Sequence, residues 1–262
     1  MLVTTDIQDN LATVTLNRAE KKNALNFEML SALEDTCDAL SRAKAVRAII
    51  ITGAGESFSA GIDTSMMMAM AGDLDGLKAR MVDVDATGAN EFQRPMTCWS
   101  ALHVPVIAAI EGHCFGAGMQ LALGADFRIA APDARLSIME AKWGLIPDMG
   151  ISQFLPALLP ADRAKLLIMT GEELSGAEAL RLGLVTETSE SPLERARALG
   201  KLLAAKSPEA VRDAKRLVNA AWPSAGDQGL AREAAYQSAL MGSPNQIEAI
   251  RANLQKRAPD FA

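Results

Sequence analysis

The chain has 262 residues, 49% of them apolar and 22% charged, the composition of an ordinary globular protein with a full core. Its formal charge of −6 lacks the basic excess of a nucleic-acid binder, but leaves room for a small anionic ligand held by a few lysines. Cys37, Cys98 and Cys114 are odd in number and unrelated in spacing, so they form neither a disulfide framework nor a CxxC zinc pattern and point to a reducing cytoplasm. The start, Met1-Leu2-Val3-Thr4-Thr5-Asp6, lacks the basic and apolar regions of a signal peptide, and no apolar run approaches a membrane span.

In chain order, residues 11–17 alternate apolar with small polar side chains, as a half-buried strand does. Asn26 stands where it can cap a helix over Phe27–Arg42, with Leu30, Leu33, Cys37 and Leu40 on one face. Residues 48–52 form a continuous apolar run closed by Gly53-Ala54-Gly55. A run buried on both faces after a helix predicts a parallel sheet. Residues 64–100 read as a helical segment whose Met66, Met67, Met68 and Met70 serve either as core filler or as an adaptable pocket lining. Strands are predicted over 105–110 and 125–130, with a helix over 115–123 between them. From about Ser152 strand signals nearly vanish, and helices are predicted over 161–170, 175–182, 192–205, 208–221 and 225–240. Leu202, Leu203, Val211, Leu217, Val218 and Trp222 supply apolar positions to bury against the body or a neighbouring chain. The chain therefore divides into an α/β body over 1–200 and a helical region over 201–262, without internal repeats.

Two glycine-containing turns carry the first chemical signal. One is Phe58-Ser59-Ala60-Gly61-Ile62-Asp63; the other is Gly112-His113-Cys114-Phe115-Gly116-Ala117-Gly118, directly after the strand ending at Ile110. Glycine lets the backbone turn sharply and lets a ligand approach the peptide plane. Ligands of parallel sheets gather beyond the carboxyl ends of the strands, where helix N-termini offer unpaired N–H groups. Taken singly, each turn also reads as a tight turn and nothing more. Side by side they aim two N–H donors at one oxygen, the geometry of an oxyanion hole. Neither turn matches a dinucleotide fingerprint or a phosphate-binding P-loop.

Carboxylates follow in Glu140-Ala141-Lys142-Trp143-Gly144-Leu145-Ile146-Pro147-Asp148-Met149-Gly150. Glu140 lies in a largely apolar stretch, where desolvation raises a carboxyl pKa towards neutrality; as an alternative it is a helix-surface acid. Asp148, between a proline and Met-Gly, also reads as a turn former. The two histidines, His103 and His113, have no acidic cluster around them, so no metal site is expected. Ser59 and Ser137 lack the partners of a hydrolase triad, and Cys114 reads as a small core residue.

In order and spacing, residues 58–63, 104–130 and 140–150 resemble the crotonase family of enoyl-CoA hydratases and isomerases. The likeness extends to Leu16-Asn17-Arg18, Asn23-Ala24-Leu25, Leu174-Ser175, Gly183-Leu184-Val185 and Lys256-Arg257-Ala258-Pro259-Asp260-Phe261, so it spans nearly the whole chain. The resemblance implies an α/β fold, a spiral of ββα turns with a helical C-terminal region, assembled as a homotrimer or a dimer of trimers. It implies an acyl-CoA thioester as substrate, with coenzyme A part of that substrate and no separate cofactor. The oxyanion donors would be the N–H groups of Ile62 and Ala117. Arg18, Lys22, Ala24, Leu25 and Ala60, with Gly61, Asp63 and Gly116 of the turns, would form the substrate and coenzyme A contact region. Hydratases of the family use two glutamates. Glu140 falls on the second position, but Gln120 holds the first, and glutamine takes no proton at neutral pH. Asp148 matches the position of an acid used by dienoyl-CoA isomerases. The expectation is therefore a double-bond isomerase with Glu140 as proton shuttle, ahead of a hydratase. A non-catalytic acyl-CoA binder and another enolate reaction, such as thioester hydrolysis or decarboxylation, are the further alternatives.

Overall fold

The computed structural model describes residues 1–221, 229–257 and 260. Trp222, residues 225–228, Ala258, Pro259, Phe261 and the side chain of Met70 lie outside the described part.

The chain opens with β1 (Val3–Gln8) and β2 (Leu11–Leu16), an antiparallel hairpin turned at Asp9 and Asn10. Both turn residues have positive φ, 50° and 65°, the conformation a two-residue hairpin needs and short polar side chains tolerate. Helix α1 (Phe27–Arg42) begins where expected: the Asn26 side chain accepts a hydrogen bond from the Met29 N–H at 3.0 Å. It buries Met29, Leu30, Leu33, Cys37 and Leu40 and returns the chain to β3 (Ala48–Gly53), which lies parallel to β2. The segment predicted as helical over 64–100 is broken. It holds α2 (Thr64–Ala71), α3 (Leu74–Val82) and α4 (Arg94–Ala101), with 83–93 irregular. Asn90 organises the break: its Oδ1 accepts from the Phe92 and Gln93 N–H groups, and its Nδ2 donates to the Met81 carbonyl.

Next, β4 (Val106–Ile110) and β5 (His113–Phe115) are followed by α5 (Ala117–Leu123), and β6 (Phe127–Ala130) is followed by β7 (Arg135–Ser137). The helix predicted from Phe115 thus starts two residues later, because Phe115 is claimed by strand pairing with Ser137. In each ββ pair the first strand joins one sheet and the second joins another. The larger sheet runs β1-β2-β3-β4-β6-β9 and the smaller β5-β7-β8, with the short β8 (Leu174–Ser175) and β9 (Glu187–Thr188) at their edges. That alternation is the spiral of ββα turns. Its short second strands carry too few residues to show a period-two pattern in sequence.

Helices α6 (Ile151–Phe154), α7 (Ala161–Thr170) and α8 (Gly176–Leu182) precede α9 (Pro192–Ala204), which covers the outer face of the larger sheet. Ile50, Ile107 and Ile129 pack there against Ala196, while Ile49 and Ile51 point into the main core, so the apolar run 48–52 is buried on both faces. Helix α10 (Pro208–Ala221) is tied to the body by the buried Lys215 Nζ, 2.8 Å from Asp126 Oδ2 and 3.1 Å from the Val104 carbonyl. Helix α11 (Gly229–Leu240) packs against α3 and α6, and α12 (Pro244–Gln255) against the 3-10 turn at Glu140–Trp143. Leu202, Leu217 and Val218 remain exposed on the single chain, whereas Leu203, on α9, packs against the outer face of the larger sheet. No described helix is long and apolar enough to cross a membrane.

Candidate active site

The two glycine turns meet. Ser59 and Cys114 form a parallel bridge, with Ser59 N–H donating to the His113 carbonyl at 2.9 Å and Phe115 N–H donating to the Ser59 carbonyl at 3.0 Å. Gly61 has φ +90°, and a Cβ on it would stand 2.8 Å from the Phe115 carbonyl oxygen and 3.8 Å from the Ala117 nitrogen, so only glycine lets the turns close this tightly.

The donors follow from backbone pairing. Leu25 N–H donates to the Gly61 carbonyl at 2.8 Å, and Asp63 N–H donates to the Leu25 carbonyl at 2.8 Å. In such a parallel bridge the intervening residue, Ile62, turns its own N–H away from Leu25, and Ile62 lines the cavity. Ala117 opens α5, and its N–H is among those a helix leaves without an internal partner. Both residues line one cavity of about 650 Å³.

Glu140 reaches the same place through the smaller sheet. Because β5 and β7 are parallel with Phe115 opposite Ser137, the chain just past β7 runs beside the start of α5. A Cβ on Gly116 would lie 3.4 Å from Glu140 Oε1. Gln120, one turn into α5, is buried, and its amide orientation is set by its partners. The Met149 N–H donates to Oε1 at 2.8 Å, so Nε2 faces Glu140 and donates to its Oε1 at 2.8 Å. The other carboxylate oxygen, Glu140 Oε2, is shielded from solvent and has no hydrogen-bond partner among the described residues. Burial pushes the Glu140 carboxyl up to about 7, against backbone and Gln120 hydrogen bonds that pull it down.

A proton held more tightly in the folded chain than in the unfolded one stabilises the fold below the ordinary carboxyl range. That stability is lost as pH rises from about 4.5 to about 7. Glu140→Gln abolishes the loss. The variant is expected to be more stable than the parent at pH 8 by about 3 kcal/mol and nearly equal to it at pH 4, as urea unfolding at the two pH values measures.

Of the predicted site residues, Ala24, Ala60, Gly61, Ile62, Asp63, Gly116, Ala117, Glu140 and Asp148 line the cavity. Arg18, Lys22, Leu25 and Gln120 are not on its wall. Arg18 stands behind it, donating to Asp63 Oδ2 at 2.5 Å and to the Ala24 carbonyl at 3.0 Å. The Ser65 hydroxyl first, then its N–H and the Arg18 guanidinium, hold the Asp63 carboxyl down to about 2. This pair clamps the turn that carries Ile62. Arg18→Ala strands a buried carboxylate and is expected to cost about 3 kcal/mol of stability at pH 7 in denaturant unfolding.

Lys22, at φ 49°, turns towards His113, while Lys21 lines the cavity instead. His113 Nδ1 lies 3.0 Å from Ser57 Oγ, and burial with Lys22 and Arg135 nearby holds its pKa down. Burial pushes the Cys114 thiol up, and Ser59 and Ser137 hydroxyls donate to the carbonyls of Asn23 and Gly171. Among the described residues no group of three or more His, Cys, Asp or Glu side chains stands together to hold a metal.

Met66 and Met67 line the cavity, as do Met81, Met139, Met149 and Met241, while Met68 is exposed. The C-terminal helices add Gln237, Gln246 and Arg251, which no local sequence signal marks.

A carboxyl buried and poised near neutrality, in one cavity with Ile62 and the head of α5, is an arrangement that can hold an oxyanion while a proton moves at a neighbouring carbon. The family profile described as Enoyl-CoA hydratase/isomerase matches residues 6–262. A probable enoyl-CoA hydratase of Mycobacterium tuberculosis is 34% identical over 250 residues, 95% of this chain and 93% of that one. The crotonyl-CoA hydratase of Syntrophomonas wolfei is 33% identical, over 97% of this chain and 95% of its own. The crystal structure of an enoyl-CoA hydratase from Mycobacterium avium subsp. paratuberculosis superposes with a TM-score of 0.85 at 28% identity, covering 100% of this chain and 99% of that one. The chain belongs to the enoyl-CoA hydratase/isomerase family of acyl-CoA enzymes, with its crotonase-like α/β fold.

Proposed function

We propose that this enzyme moves a carbon–carbon double bond along an acyl-CoA, with Glu140 as the single proton shuttle. One observation carries the reading. The residue where hydration calls for a second carboxylate is Gln120, and its amide is already engaged with Glu140 and the Met149 N–H. In the proposed step, ionised Glu140 removes a proton from C2 of a 3-enoyl thioester. The thioester oxygen of the resulting dienolate accepts hydrogen bonds from the Ile62 and Ala117 N–H groups. Glu140 then returns the proton at C4, leaving the 2-enoyl thioester with atoms and charge balanced. The step draws on these protein groups alone, with coenzyme A entering as part of the substrate. Asp148, on the same wall, provides a second carboxylate for a longer conjugated substrate such as a 3,5-dienoyl thioester.

The relatives favour a second reading, addition of water to a 2-enoyl thioester; one, from Escherichia coli, is a 2,3-dehydroadipyl-CoA hydratase at 31% identity. Incubating the protein with 2-trans-enoyl-, 3-enoyl- and 3,5-dienoyl-CoA in deuterated water separates the two. Double-bond migration with deuterium uptake and no added water supports the isomerase. Rapid 3-hydroxyacyl-CoA formation would overturn it in favour of the hydratase. A homotrimer or dimer of trimers belongs to the same proposal, supported by the exposed Leu202, Leu217 and Val218, and light scattering checks it.

A further inference from the structure

Most of the cavity wall is hydrocarbon or thioether, which makes its unpaired polar groups conspicuous. Gln237 on α11 is 4% exposed and lines the cavity. The Ile146 N–H lies 3.2 Å from its Oε1, and since a backbone N–H only donates, the amide is locked with Nε2 on the other side. That Nε2 makes no hydrogen bond among the described residues. Gln246 on α12 repeats the construction where α12 packs on Gly144. It is 5% exposed, its Oε1 accepts from the Gly242 N–H at 3.1 Å, and its Nε2 is likewise without a partner among the described residues. A buried amide that loses water to a hydrocarbon chain loses its only acceptor, so a ligand bringing one is preferred.

Gln237 is anchored to the segment that carries Asp148 and Met149, the acyl side of Glu140 on the reading given above. Ala24 and Ala60, with Lys21 beside them on the wall, belong to the other segment, where the family resemblance puts the coenzyme arm. We infer that the acyl group of the substrate carries a neutral oxygen, a hydroxyl or an oxo group, which accepts a hydrogen bond from Gln237 Nε2. Neutral follows from the donor, because an uncharged amide would leave a buried carboxylate's charge unpaired, whereas it satisfies an oxo or hydroxyl oxygen. This inference rests on the acyl-CoA reading of the cavity but not on the isomerase step.

Binding of saturated thioesters isolates it from turnover. Calorimetry of the full chain with hexanoyl-, 5-oxohexanoyl-, 6-hydroxyhexanoyl- and adipoyl-CoA is expected to give at least one neutral oxygenated thioester a Kd roughly 10- to 100-fold below that of hexanoyl-CoA. In Gln237→Leu the ratio is expected to collapse towards one while hexanoyl-CoA binds at least as well as before. The parent ratio is informative even if that variant folds poorly. Equal binding of oxygenated and hydrocarbon chains would overturn the inference. So would a variant that weakens every thioester alike, which puts the acceptor on the coenzyme arm. Tightest binding of adipoyl-CoA would overturn it too, because the wall would then be reading charge through Arg251 or Lys21. No binding of any thioester would sink it together with the acyl-CoA reading. The expected preference without turnover of unsaturated analogues would sustain it while removing the isomerase.

Discussion

Glu140→Gln is expected to lower kcat/KM for double-bond migration by about 10⁴, the upper end of what a positioned general base contributes, because in the proposed reaction one carboxyl both removes and returns the proton. The substitution keeps shape and retains an acceptor for the Gln120 amide, so substrate binding is expected to persist while chemistry and deuterium exchange disappear together. The parent's pH dependence is tied to the same group. Burial sets the Glu140 pKa near 7, so the free enzyme gains its base form as pH rises through 7, and kcat/KM is expected to climb to a plateau above about pH 8. A profile that stays flat down to pH 5 would show either that Glu140 ionises in the ordinary carboxyl range or that it does not act as the base. The second possibility is settled by the variant: residual activity above about a tenth of the parent's would assign the proton transfer elsewhere.

Ala117→Pro tests the other half of the site. Proline has no N–H, and the first position of a helix is where it is best tolerated, so the change removes one of the two proposed oxyanion donors with little cost to α5. A fall of about 10²–10³ in kcat is expected, with a melting temperature close to the parent's. Thioester binding is expected to weaken far less, because the donor acts on charge that develops during the reaction. If kcat survived unchanged in a folded variant, the Ala117 N–H would not face the reacting oxygen.

Much of this architecture is legible in sequence because local rules write it. Asn26 caps α1 through a bond three residues away, and the apolar face of that helix repeats with the helical period. Residues 48–52 announce a doubly buried strand. The two turns are visible because each needs glycine at a fixed offset. Short β5, β7, β8 and β9 were not legible, since two or three residues show no period and their pairing partners lie up to some sixty residues away. Nor was the division of labour between adjacent lysines, where left-handed backbone at Lys22 and Asn23 swings one side chain off the wall and leaves Lys21 on it.

The sequence by itself determined the identity of the groups the proposed reaction draws on: one carboxyl at Glu140, a glutamine and not an acid at 120, and two glycine turns. Only the tertiary structure decided what those groups become. Parallel pairing of β5 with β7 brings Glu140 to the head of α5, and burial there lifts its pKa to about 7. The Met149 N–H, 29 residues from Gln120, orients the amide that holds Glu140. Helices α11 and α12, nearly a hundred residues further on, bring Gln237 and Gln246 into the cavity wall. The physical reason is common to all three. Desolvation and hydrogen-bond partnership are properties of a side chain's surroundings, and in this fold those surroundings are assembled from distant segments.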